Sequence, residues 1–375
     1  MIIKKRFIIA LELFLCSALM EDYSHLHMYD GSDFLVVVSS SLFVDKSLFI
    51  KHFLDNTKTG DGILILTPGK FGKTTSLNMI KRFLSINIDE KGNVKELEET
   101  SNYNVFRNNN LDAYKLNGFF KKYFGKYPVI SIDYKALSET SSYDEFIETL
   151  KLLFFKTYRD HAYLLYDSNQ WTMKNENDGL TREKLKLYMS KMTIEKLNLS
   201  DIMTGFNFLC QVLNERFGRG VIVLIDNFDA FVESPLFSRN PNISSVFKDV
   251  NSDLLRCDSV ERSLIMGRGC ESGSSPEIFL PANIRTTTQA WPYFGLSIAE
   301  LEELLRHVVR RPEAREKAMN KILHRDSFGN TRSCTVAADN DKPVAKQMCC
   351  FESLMEYFKH EEANDYPAYE EYDFK

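Results

Sequence analysis

The sequence predicts a three-layer α/β/α fold on a parallel central sheet, and three observations carry that reading. Continuous apolar runs recur at Ile63–Leu66, Val129–Ile132, Val221–Ile225 and Leu264–Met266, the pattern of parallel strands buried on both faces. The segments between them are long enough for right-handed helical crossovers. Two runs also end in residues suited to chemistry: Ile63-Leu-Ile-Leu66 passes into Thr67-Pro-Gly-Lys-Phe-Gly-Lys-Thr-Thr75, and Gly220-Val-Ile-Val-Leu-Ile-Asp226 closes on a carboxylate. In open α/β sheets ligands gather at the carboxyl ends of the strands.

Taken in order, the chain begins with a basic stretch, Met1-Ile-Ile-Lys-Lys-Arg6, then the apolar segment Phe7 to Met20, with small residues at Cys16-Ser-Ala18 before Glu21-Asp22. That order reads as a secretory signal over residues 1–20, its apolar core too short to span a bilayer. Glu12 within the core is a blemish, and the alternative is an amphipathic first helix of a cytoplasmic protein. Phe34-Leu-Val-Val-Val38 reads as a short strand and Ser47–Leu54 as a helix. A helix to about Leu84 follows the glycine turn, and the polar, Asn- and Glu-rich residues 86–110 read as a surface excursion. A helix near Leu116–Phe124 precedes the strand Val129–Asp133, and Phe146, Leu150 and Phe154 set helical spacing over Ser142–Tyr158. Residues 165–205 are charged and without strand-like runs, the mark of a helical insertion, and Phe206–Phe217 forms the helix before the next strand. Ser297-Ile-Ala-Glu300 is a capping box for a helix to about Val309, and Pro312 ends that helix or begins another. The main domain is thus expected over residues 30–310, followed by a helical or irregular extension over 311–375 with a tyrosine-rich acidic tail from Asp365.

The glycine turn carries the chemistry. A strand, a Gly-containing turn and a helix in that order form a phosphate cradle, because unpaired N–H groups and the helix dipole favour negative charge there. Gly69, Lys70, Phe71, Gly72, Lys73, Thr74 and Thr75 are the expected nucleotide-binding residues. Lys73 would reach the β- and γ-phosphates and Thr74 would take a Mg²⁺ position. Asp226, at the end of a buried strand, supplies the second metal-holding group. ATP and Mg²⁺ are the implied ligands. The usual phosphate-loop pattern has Gly where this chain has Thr67.

Four segments in order, Phe43-Val-Asp-Lys-Ser-Leu-Phe-Ile50, Thr67 to Thr75, Tyr127-Pro-Val-Ile-Ser-Ile-Asp-Tyr-Lys135 and Leu224-Ile-Asp-Asn-Phe-Asp229, resemble the AAA-ATPase-like family, and the stretch from Tyr293 to Glu303 resembles a later segment of it. The resemblance covers roughly residues 40 to 306 and implies a P-loop NTPase fold of the AAA/STAND kind. It accounts for Thr67, since the family itself lacks Gly there. Many bacterial members continue into a nuclease-type domain, and no counterpart of it is read after residue 310. Three departures bear on mechanism. Asn227 stands where the family has the Glu that polarises the attacking water, and Asn cannot accept a proton. Gly69-Lys70 replaces an Arg pair, and Met266-Gly267 replaces Thr-Gly at a strand end. Loss of one well-placed catalytic group commonly lowers rate by ~10²–10³, so binding is expected with weak or absent hydrolysis. Asn227 and Asp229 are the candidate catalytic residues, Asp229 being equally readable as a cap on its loop.

Composition narrows the classes. The 375 residues, 44% of them apolar, suffice for a sizeable core, and a net charge of -5 argues against a dedicated nucleic-acid surface. No paired C-x₂-C or H-E-x-x-H pattern points to zinc. Removal of a leader would leave Cys210, Cys257, Cys270, Cys334, Cys349 and Cys350, with Cys210 expected as a buried thiol and pairing open among the others. The alternative function is a secreted, non-catalytic interaction or effector protein on a degenerate P-loop fold, with a protein as its partner.

Overall fold

The computed structural model describes residues 33–354 except 41, 90, 167–175, 230, 232–233, 269–278, 288, 310–311, 324–330, 338–342, 350 and 352–353. The expected leader at 1–20 and the tail at 365–375 lie outside the described residues. The chain divides into two compact units. One holds residues 45–69 and 76–294; the other holds the described residues before Asp45, Lys70–Thr75 and the described residues from Gly295 onward.

The first unit is built on a five-stranded parallel sheet with the order β2-β3-β4-β1-β5. Its strands are β1 (Asp61–Leu66), β2 (Val129–Asp133), β3 (Val221–Asp226), β4 (Val260–Gly267) and β5 (Ile284–Thr286). All four expected strands are present because each is buried on both faces and so reads as an unbroken apolar run. The fifth, β5, is short and largely exposed, and leaves no such run. Gly62 in β1 allows the close approach of its neighbours: a β-carbon there would lie 2.5 Å from Ile284 Cδ1 and 2.8 Å from Ser263 Cβ.

Helices cover both faces of the sheet in the three-layer α/β/α arrangement. They are α1 (Leu48–Asn56), α2 (Lys73–Leu84), α3 (Ser101–Asn108), α4 (Asp112–Lys115), α5 (Asn117–Tyr123), α6 (Tyr143–Arg159), α7 (Glu176–Tyr188), α8 (Leu199–Phe217) and α9 (Pro241–Leu255). In α6 the expected Phe146, Leu150 and Phe154 are buried, and Ser142 caps the helix by accepting the Glu145 N–H. An aromatic cluster fixes the far end of α2. The Phe83 ring meets those of Phe106, Phe119, Phe120 and Phe124 at centroid distances of 5.3, 5.7, 5.5 and 5.3 Å. That cluster explains α3, which lies within the segment expected as an irregular excursion. Thr100 caps it by accepting the Tyr103 N–H at 3.1 Å, and its Phe106 is buried against Phe83. The insertion is helical as expected, yet α8 begins at Leu199 rather than Phe206. The reason is a reciprocal cap: Asn198 Oδ1 accepts the Asp201 N–H and Asp201 Oδ2 accepts the Asn198 N–H.

In the second unit, Phe34–Val37 is a helical turn, not the expected strand. Asp33 Oδ1 accepts the Leu35 N–H at 3.0 Å, and this cap sets the helical course against the β-branched run. β6 (Leu296–Ser297), α10 (Ile298–Val308), α11 (Pro312–Leu323), β7 (Thr331–Ala337) and β8 (Pro343–Cys349) follow. The helix to about Val309 was expected, and Pro312 begins a second one, α11, in whose first turn its missing N–H does no harm. The three-stranded antiparallel sheet, ordered β6-β8-β7, was not expected. The Ser297–Glu300 capping box forms as read, with Ser297 Oγ accepting from Glu300 N at 3.3 Å and Glu300 Oε2 from Ser297 N at 2.9 Å. Leu296, Leu301, Leu305, Ala318, Ile322 and Leu354 form this unit's core.

Candidate functional site

The carboxyl edge of the parallel sheet gathers the acidic candidates. β3 is buried along its whole length and ends on Asp226, itself only 6% exposed. The register pairs Asp226 with Asp133, the last residue of β2, so two carboxylates leave the sheet side by side. Asn227 sits between them. Its backbone N–H donates to Asp226 Oδ1 at 2.9 Å and its side-chain Nδ2 donates to Asp133 Oδ1 at 2.8 Å. The backbone at Asn227 is left-handed, with φ 53°, a conformation that Asn tolerates better than most residues. The Asn side chain thus meets two demands: it tolerates the turn and donates to the Asp133 carboxylate, while the backbone N–H serves Asp226.

Asp229 has a different setting. It is 1% exposed, and its Oδ2 accepts the Arg268 backbone N–H just beyond β4. The carboxyl lies over Gly267, where a β-carbon would come within 2.8 Å of the Asp229 Cγ. Only glycine fits that approach. Met266, where the family pattern has Thr, is fully buried. At the same edge Thr67 prolongs the β1–β4 ladder, its N–H donating to Gly267 O at 3.1 Å, and a β-carbon on Gly69 would lie 3.9 Å from Arg268 Nε.

The basic candidates belong to the segment Lys70–Thr75. Lys70 and Gly72 both have positive φ, 65° and 83°, so the turn doubles back sharply before α2 opens at Lys73. Lys73 is buried to 8% exposure, while Thr74 and Thr75 are half-buried. No acidic residue stands in the first turn of α2, at the positive end of the helix dipole. Phe71 is buried rather than facing solvent. Within this unit the turn is held by the C-terminal chain: Gly295 N donates to Phe71 O at 2.9 Å and Phe351 N to Lys70 O at 3.2 Å. A β-carbon on Gly72 would meet the Phe351 ring at 3.2 Å.

The sequence reading missed two features. Asp133 was seen only as the end of a strand, although Val129-Ile-Ser-Ile-Asp133 mirrors Val221-Ile-Val-Leu-Ile-Asp226; the mirrored Asp was the available signal. The second is the box at Asp45-Lys46-Ser47, which acts as a clasp. Asp45 Oδ2 accepts the Asp112 N–H at 2.6 Å, Ser47 Oγ accepts the Ala113 N–H at 2.9 Å, and Lys46 Nζ donates to Pro292 O at 3.2 Å. These contacts satisfy the N-terminus of α4 and tie three distant segments together.

For a metal, the described residues hold no group of three or more His, Cys, Asp or Glu side chains arranged around a point. Thr74 and Asp226, the expected ligands, are oxygen donors of the kind Mg²⁺ takes, an ion that needs only one or two protein ligands beside phosphate oxygens and keeps its waters. No helix among the described residues is long and apolar enough to cross a membrane.

The sequence model of a family described as "Predicted AAA-ATPase" matches residues 32–267, from before the clasp to the end of β4. No curated protein matches the chain.

Proposed function

The chain belongs to the AAA-ATPase-like family, and from that premise we propose that it binds ATP with Mg²⁺ and hydrolyses it weakly or not at all. Lys73 would neutralise the β- and γ-phosphates, the N–H groups of residues 69–75 would cradle them, and Thr74 with Asp226 would hold the ion. Bound Mg²⁺ supplies charge neutralisation across the phosphates. The observation that supports this best is the common edge of the sheet. There β1 passes into the glycine turn, and β3, two strands away, ends on a carboxylate. Weak hydrolysis follows from Asn227, whose side-chain amide donates to Asp133 and offers no base to a water. Met266 adds no polar contact at the end of β4.

Isothermal titration of the whole protein with ATP in Mg²⁺ tests binding: heat is expected with the native chain and none with Lys73→Ala. An absence of heat with both would remove the nucleotide and leave the alternative, a non-catalytic interaction protein on the same fold. Asn227 and Met266 favour that second reading to the same degree that they weaken hydrolysis. Export through residues 1–20 belongs with it, and N-terminal sequencing of the protein from its native source decides it.

A further inference from the structure

Away from the sheet's carboxyl edge, two buried thiols meet. Cys257 lies in the turn between α9 and β4 and Cys210 on α8; both are free cysteines. The Cys257 thiol donates to Asn207 Oδ1 at 3.3 Å and lies 3.9 Å from Asn207 O. Asn207 is one helical turn before Cys210, on the same face of α8, so the bond from Cys257 to Asn207 brings the two sulfurs into one neighbourhood, where each shifts the other's titration. Their exposures differ in a useful way. Cys210 is fully buried, whereas Cys257 helps line an open cleft of about 400 Å³ together with Thr59, Gly60, Arg256, Asp258 and Asn283.

We propose that Cys257 is a peroxide-sensitive thiol, reached through this cleft, and that Cys210 resolves its oxidised form into an intramolecular disulfide. The chemistry of the pair supports the division of roles. The hydrogen bond from Cys210, with those from Ser259, holds the Cys257 thiol down to about 7, so much of it is thiolate at neutral pH. The same hydrogen bond, with burial, pushes the Cys210 thiol well up, keeping it protonated until needed. Asp253 acts electrostatically on both sulfurs. Burial raises its own pKa, and its Oδ2 has no hydrogen-bond partner among the described residues. It is the acceptor for the Cys210 proton.

The steps balance. The Cys257 thiolate attacks a hydroperoxide; an S–O bond forms, the O–O bond breaks, and the departing alkoxide or hydroxide takes a proton to leave as alcohol or water. Cys210 then yields its proton to Asp253 and its thiolate attacks the Cys257 sulfur. The S–S bond forms, the S–O bond breaks, and hydroxide leaves with the proton from Asp253 as water. Two thiols and one hydroperoxide become a disulfide, an alcohol (or water) and water. The bridge would join the helix that enters β3 to the turn that enters β4.

Peptide mapping by mass spectrometry after brief hydrogen peroxide treatment of the reduced full chain is the test. The expected result is a peptide pair joined through residues 210 and 257, lighter by two hydrogens and separated again by dithiothreitol. Alkylation of Cys257 by iodoacetamide should be lost and then restored. In Cys210→Ser the reaction should stop at a dimedone-trappable sulfenic acid on Cys257, and in Cys257→Ser residue 210 should stay unmodified. Since the native chain gives the primary reading, a variant that fails to fold does not spoil it. No mass change, or a bridge from Cys257 to any other cysteine, overturns the proposal.

Discussion

Asn227 joins a backbone demand to an electrostatic one. Replacing it with Glu forces an ordinary side chain into the left-handed region, which costs about 1–2 kcal/mol. It also removes the donor to Asp133 and brings a third carboxylate beside Asp133 and Asp226. Yet it restores the group that accepts a proton from water. Asn227→Glu should therefore lower the midpoint of denaturant unfolding while raising phosphate release from Mg·ATP; an unchanged rate would show that Asn227 is not what limits turnover. The departure at 227 was legible in sequence because it sits next to a marker Asp. Its tie to Asp133 was not, because strand register is a contact between residues far apart in the chain. Asp229 was ambiguous for the same reason: it accepts the N–H of Arg268, just beyond β4 and far from it in the chain.

At the scale of elements, α6 and α8 approach so closely that only glycine fits at 205. A β-carbon there would lie 2.4 Å from the Phe154 ring, and the Tyr158 hydroxyl donates to Gly205 O at 2.6 Å. Gly205→Ala should destabilise the protein by about 1–3 kcal/mol, since overpacking moves rings out of their rotamers. Urea unfolding measures this, and an unchanged midpoint would mean the helices separate without penalty. Elements whose burial is two-sided or whose caps are local were readable: β1 to β4, α6 with Ser142, and α10 with Ser297 and Glu300. Those decided by partners were not. Phe34–Val37 has strand-forming side chains but a capping Asp before it, and α3 is polar except for the face it turns to Phe83. For α8 the signal existed in Asn198 and Asp201, hidden by treating a charged segment as one insertion.

For the molecule as a whole, pH sets a stability limit through His161. The ring is buried, its Nδ1 lies 2.9 Å from the Tyr163 hydroxyl, and burial with the nearby Lys81 charge lowers its pKa from 6.5 to about 3. A depressed histidine is neutral in the folded chain and protonates first in the unfolded one, so the unfolded state gains protons as pH falls below 6.5. The stability lost reaches about 2 kcal/mol at pH 5 and grows until pH nears the folded value. Unfolding free energies between pH 7 and 4 should show this slope, and His161→Phe should flatten it; an equal slope in the variant would assign the loss to other groups. The antiparallel sheet was not legible, because it joins β6 to strands that follow two helices later.

The phosphate turn has one further consequence for dissection of the gene. Its carbonyls at residues 70 and 71 receive N–H groups from residues 351 and 295, both beyond the stretch that the family description spans. A recombinant fragment trimmed to that stretch would keep the glycine turn and Asp226 and still leave the turn without its two anchoring donors.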